Sequence, residues 1–105
     1  MTINPVQSAI PIPYEELARF CEKHHLVRLW LFGSVLRDDF TPESDLDVLV
    51  EFDPQHVPGW EFSRWYGELE NIFGRPVDLT TPSALSQYIK KKVMCSAEVV
   101  YERTG

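Results

Sequence analysis

Gly33-Ser34 is followed, after ten residues, by Asp45-Leu46-Asp47. These residue types at this spacing can do a definite chemistry. A glycine-serine turn presents backbone N–H groups and a hydroxyl to phosphate oxygens. Two aspartates at i and i+2 on a strand project to one face, roughly 6.6 Å apart along the chain. Carboxylates so placed can share a pair of divalent cations, which sit roughly 3.5–4 Å apart in two-metal sites. A phosphate cradle beside metal-holding carboxylates is the equipment of phosphoryl or nucleotidyl transfer. Either dipeptide alone is commonly just a turn or a polar strand end; the joint spacing carries the reading.

The elements that must position these residues are legible around them. Val27–Phe32 (VRLWLF) reads as a strand ended by Gly33. Ser34–Phe40 should begin with a short helical turn and become a loop, and Thr41-Pro42-Glu43-Ser44 has turn chemistry. In Asp45–Phe52, Leu46, Val48, Val50 and Phe52 form one apolar face, with Asp45 and Asp47 on the other. Arg75–Leu79 reads as a short strand on which Asp78 opposes Val77 and Leu79. If that strand lies beside Leu46–Phe52, Asp78 becomes a third carboxylate of the same group.

The remaining segments are helical in spacing. Tyr14, Leu17, Ala18 and Cys21 recur at helical intervals over Tyr14–His24, with Glu15 and Glu16 suited to the first turn. Trp60–Phe73 places Phe62, Trp65, Tyr66, Leu69, Ile72 and Phe73 on one face, and Gly74 is the expected C-cap. That aromatic stripe, like Trp30, is read as core. Pro82 is expected to open a last helix carrying Leu85, Tyr88, Ile89, Lys92 and Val93 in register, before a final strand at Val99–Tyr101. The predicted fold class is α/β (α+β), a small mixed β-sheet with packed helices in the order αβ(turn)βαβαβ. Residues 1–13, with Pro5, Pro11 and Pro13, are expected to be an extended lead-in to one domain at 14–105.

Leu31-Phe32-Gly33-Ser34, the spacer, and Asp45-Leu46-Asp47 with Val48-Leu49-Val50 resemble the nucleotidyltransferase signature of the DNA polymerase β superfamily. More narrowly, the chain is similar to the minimal nucleotidyltransferases of the MNT antitoxin type. The resemblance extends over residues 14–102 and includes Arg37, Val77-Asp78-Leu79 and Val99-Val100-Tyr101-Glu102. One position departs from it: Asp38 follows Arg37, where glycine is common. The resemblance implies a polymerase β-like nucleotidyltransferase fold. It implies that Gly33 and Ser34 bind the triphosphate of ATP, and that Asp45, Asp47 and Asp78 are catalytic and hold two Mg²⁺ ions. Arg37 then contacts a nucleotide phosphate or is simply solvated. It also implies a partner, a HEPN-domain toxin, silenced by transfer of AMP to one of its tyrosines in a type VII toxin–antitoxin pair. Two alternatives stay open: an antitoxin that neutralises its partner by binding alone, and a nucleotidyltransferase with a small-molecule or RNA acceptor.

Composition narrows the partners. The chain has 105 residues and a formal net charge of −6. Affinity for nucleic acid rests on basic contacts to phosphates, so an acidic domain this small is a poor candidate for nucleic-acid binding. No apolar stretch approaches the roughly 18 residues of a membrane span, and Met1–Pro13 lacks the pattern of a secretory signal. Two isolated cysteines, Cys21 and Cys95, suit free thiols in a reducing, cytoplasmic setting. His24, His25 and His56 show no zinc-ligand spacing with them. Lys90-Lys91-Lys92 could reach a phosphate, but reads better as charge at a helix C-terminus.

Overall fold

The computed structural model describes residues 10–36, 40, 41 and 43–103, except for the side chain of Ser34. In chain order its elements are α1 (Tyr14–Lys23), β1 (Leu26–Phe32), a 3-10 turn (Gly33–Leu36), β2 (Leu46–Phe52), a second 3-10 turn (Pro54–His56), α2 (Glu61–Phe73), β3 (Val77–Thr80), a third 3-10 turn (Pro82–Ala84), α3 (Gln87–Ser96) and β4 (Glu98–Glu102). Among the described residues the strands form one sheet in the order β3-β2-β1-β4. β1 runs antiparallel to both β2 and β4, and β2 runs parallel to β3. The sheet is therefore mixed, and the fold is the expected α+β arrangement.

Periodicity explains which faces meet. α1 buries Leu17, Ala18, Phe20 and Cys21, and α2 buries Trp65 and Leu69. Both stripes pack on the sheet face formed by Leu29 and Leu31 of β1, Leu46, Val48 and Val50 of β2, and Val77 and Leu79 of β3. Trp65 is the largest fully buried side chain. Its ring meets Phe20 edge-on at 5.8 Å between centroids and Phe62 at 5.3 Å, geometries that aromatic quadrupoles favour. Burial also pushes the Cys21 thiol far above its ordinary pKa, so it behaves as a small apolar side chain. Gly74 ends α2 in the left-handed region at φ 72°, its N–H donating to the Glu70 carbonyl at 2.7 Å. Ile10 and Ile12 of the lead-in pack against this core.

The structure departs from sequence expectation at three places. Pro82 opens a 3-10 turn rather than the last helix; α3 starts five residues later, where the Ser86 hydroxyl accepts the Ile89 N–H at 3.4 Å. The helix runs on to Ser96, so Lys90, Lys91 and Lys92 lie mid-helix rather than against its C-terminal carbonyls. Their charge cannot complement the dipole there, because that effect is confined to the last turn. Leu49, left off the apolar face, is buried; with Trp30, which is buried as expected, it lies outside the cluster under α1 and α2. They are register partners on the opposite sheet face, the face that also carries Asp47. The strand bearing the carboxylates is thus apolar on both sides.

At the end of β2 away from Asp47, charges tie the strands together. Arg28 of β1 donates to Glu51 of β2 and Glu102 of β4, each at 2.6 Å. Asp53, just after β2, accepts from the Gln55 N–H at 2.8 Å and from Arg103 at 2.9 Å. Its own N–H donates to the carbonyl of His25 at 3.1 Å. His25 stands at φ 59° and stacks on the His56 ring at 3.8 Å. The Gln55 N–H, then Arg103, hold the Asp53 carboxyl below the usual aspartate range. A depressed folded value contributes stability that is fully present above the unfolded-state pKa. That contribution is lost as pH falls through the folded value. Urea unfolding followed from pH 6 downward should show a shallower acid loss for Asp53→Asn than for the parent chain. Equal slopes would show that Asp53 has no part in acid sensitivity.

Candidate active site

Three strand ends meet at one edge of the molecule: the C-terminus of β1 and the N-termini of β2 and β3. Phe32, the last residue of β1, is the register partner of Asp47. Gly33 follows at φ 78°, a backbone conformation that L side chains rarely adopt. A Cβ at this position would overlap a carboxylate oxygen of Asp47 and lie 3.1 Å from its Cγ. The glycine therefore does two things: it makes the turn, and it lets the Asp47 carboxylate lie directly against it. Val35, in the same turn, is 1% exposed and anchors the turn in the core. The first residues of such a turn leave their N–H groups without partners inside it, and these are the donors a phosphate oxygen takes. Ser34 lies in the turn. Its side chain, and the whole of Arg37, are outside the described residues.

The parallel pairing of β2 and β3 places Asp78 directly beside Asp47. Neighbouring strands lie roughly 4.8 Å apart, and residues in register project to the same face. Asp47 is half-buried, Asp78 is exposed, and Asp45 is exposed just ahead of β2. Before Asp45 the expected turn is present: the Ser44 N–H donates to the Thr41 carbonyl at 3.0 Å, and the Thr41 N–H donates to the Ser44 hydroxyl at 3.0 Å. Sequence reading did not single out Arg75. Its guanidinium stands 4.7 Å from the centre of the Phe40 ring, a cation–π contact that ties the loop ahead of Asp45 to the approach to β3. An arginine at the first position of the expected strand, which in the structure begins two residues later at Val77, was the only signal available.

Asp45, Asp47 and Asp78 lie at one end of the sheet, and carboxylates are hard oxygen ligands of the kind Mg²⁺ prefers. Among the described residues no three histidine, cysteine, aspartate or glutamate side chains converge closely enough to hold an ion between them. The backbone brings Asp47 and Asp78 together. Asp45 and Asp78 are exposed, so packing does not lock their side chains. Donor chemistry and strand register thus fit divalent cations.

The sequence profile described as "Nucleotidyltransferase domain" matches residues 15–100. The chain belongs to the nucleotidyltransferase domain family. This nucleotidyltransferase is 31% identical over 102 residues to "Protein adenylyltransferase MntA" of Thermococcus cleftensis, with 96% of each chain covered. Its fold is similar to that in a crystal structure of a toxin–antitoxin with AMP-PNP, at a TM-score of 0.68 and 17% identity, over 86% of this chain and 73% of that one. It is also similar to a chain in the complex of a tri-AMPylated Shewanella oneidensis HEPN toxin with its MNT antitoxin. There the TM-score is 0.61 at 17% identity, over 87% and 71% of the two chains. At 17% identity both likenesses are of fold. Among the described residues of this nucleotidyltransferase, no helix is long and apolar enough to cross a membrane.

Proposed function

We propose that this nucleotidyltransferase is a Mg²⁺-dependent protein adenylyltransferase of the cytoplasm. It moves AMP from ATP to a tyrosine of a HEPN-domain toxin and so acts as antitoxin in a type VII pair. The observation that carries this reading is the placing of Asp78 beside Asp47 in register, with the Gly33 turn against the Asp47 carboxylate. The name of the Thermococcus relative and the HEPN complex on the same fold support the acceptor class.

In this reading the Gly33-Ser34 turn holds phosphate oxygens of ATP through backbone N–H groups and the Ser34 hydroxyl, and Arg37 contacts a phosphate. Asp45, Asp47 and Asp78 hold two Mg²⁺ ions, which when bound supply Lewis-acid neutralisation of charge at the α-phosphate. The tyrosine oxygen of the partner forms a bond to the α-phosphorus, the bond to the bridging oxygen breaks, and pyrophosphate leaves. In this reading Asp78 also helps to take the tyrosine proton. The AMP left on tyrosine adds bulk and negative charge, which opposes binding of an RNA phosphate.

Label transfer tests this directly. The purified chain is mixed with a HEPN-domain toxin, Mg²⁺, and ATP labelled at the α- or the γ-phosphate, with Asp45→Asn in parallel. Label reaching the partner only from α-labelled ATP, and lost in Asp45→Asn, is the expected outcome. A tight complex that carries no label would overturn transfer in favour of neutralisation by binding. Label found on RNA or a small molecule instead would overturn the acceptor class.

A further inference from the structure

Asp78 sits on a strand of only four residues at the edge of the sheet. Its side chain is exposed, so packing does not fix it; the backbone of β3 must. On the inner side β2 does this. The Leu46 N–H donates to the Pro76 carbonyl at 3.0 Å. In a parallel ladder alternate residues bond to the same neighbour. The bond at Pro76 therefore turns the backbone groups of Asp78 inward to β2, and leaves those of Val77 and Leu79 facing outward. An edge strand ordinarily leaves such outward groups to water or to another strand.

Here α2 takes them. The Tyr66 hydroxyl donates to the Leu79 carbonyl at 2.9 Å, and the Val77 N–H donates to the Glu70 carboxylate at 3.3 Å. Tyr66 and Glu70 are four residues apart, one above the other on the helix face. They bond to the residues immediately before and after Asp78. The backbone carbonyl of Glu70 also accepts the Gly74 N–H that closes the helix, so the chain entering β3 is held at the same residue.

We propose that Tyr66 and Glu70 are positioning residues that clamp β3 from outside and set the Asp78 carboxylate beside Asp47. This rests on the reading of Asp78 as part of the metal-holding group. Neither side chain touches substrate in this role; both act through the backbone. Site geometry is effective within roughly 0.5 Å, and a displacement of 1 Å costs about 10²-fold in rate. Loss of one of the two bonds should displace β3 by less than that.

The test uses the full chain with its HEPN partner, and the variants Tyr66→Phe, Glu70→Ala, Glu70→Gln and Asp78→Asn. Four quantities are measured: AMP transfer, Mn²⁺ affinity of the protein alone by electron paramagnetic resonance, amide exchange at Val77, and the urea midpoint. Tyr66→Phe and Glu70→Ala should each lower transfer about 10-fold and weaken Mn²⁺ binding by a similar factor. Val77 exchange should quicken in Glu70→Ala. Glu70→Gln keeps an acceptor oxygen and should restore both transfer and Mn²⁺ affinity, which loss of stability alone would not predict. Unchanged transfer and Mn²⁺ affinity in folded Tyr66→Phe and Glu70→Ala, with Asp78→Asn inactive, would overturn the clamp and leave the site intact. Full transfer by Asp78→Asn would instead overturn the role of Asp78, and the clamp with it.

Discussion

Asn in place of Asp47 is expected to lower AMP transfer by on the order of 10³-fold, the scale seen when a group that stabilises transition-state charge is removed. Asp78→Asn should fall into the same class while leaving the protein as stable as before, or slightly more so. The reason is register. Asp47 and Asp78 stand side by side on adjacent strands, so the Asp78 charge adds nothing favourable to that pairing. Asp78 is exposed, so Asn in its place gives up no packing. Urea unfolding in EDTA, beside single-turnover transfer in Mg²⁺, reads both effects. The midpoint of Asp78→Asn should hold or rise as transfer collapses. A midpoint that drops steeply would assign Asp78 a structural role, and transfer within 10-fold of the parent would remove it from the site.

The second large effect belongs to Gly33. Alanine at φ 78° costs roughly 1–2 kcal/mol. Its Cβ would also overlap the Asp47 carboxylate, which has to move. Transfer should therefore fall about 10²-fold. Gly74→Ala separates the two causes. Gly74 has nearly the same backbone angle, φ 72°, but its missing Cβ faces open space. It should lose comparable stability and keep its activity. If Gly33→Ala loses no more activity than Gly74→Ala, the close approach of turn and carboxylate has no functional weight.

Much of this was written in local pattern. Leu46, Val48 and Val50 alternate with Asp45 and Asp47, so the strand and the face of its carboxylates followed from period two alone. Gly74 takes the positive φ that a C-cap implies, and Gly33, expected only to end the strand, takes one as well. What the pattern could not give was non-local. Nothing in Val77–Thr80 states that it pairs with β2, or in parallel, yet that pairing alone sets Asp78 beside Asp47. Leu49 was left out of the apolar face because it alternates with the aspartates. It is buried because the sheet has a second covered side at Trp30. Tyr66 read as one more member of an aromatic stripe, although its hydroxyl is what engages β3. At α3 two signals competed: Pro82 marks a start, but a serine at 86 with a free hydroxyl is the better cap, and the helix began there.

The central strand β1 is the second element of the chain, and one of its two neighbours is the last. Arg28 meets Glu51, 23 residues away, but it meets Glu102 only across 74. Loop-closure entropy must be overcome before such distant contacts form, and folding slows as mean contact separation grows. During synthesis α1, β1 and β2 can emerge and pair while the other side of β1 stays open. That edge is sealed only when Val100 and Tyr101 arrive and enter the core. Until β4 docks, the sheet keeps a bare edge at β1. Docking of β4, whose contacts with β1 span the longest stretch of chain, is thus expected to be the slow closing step of folding.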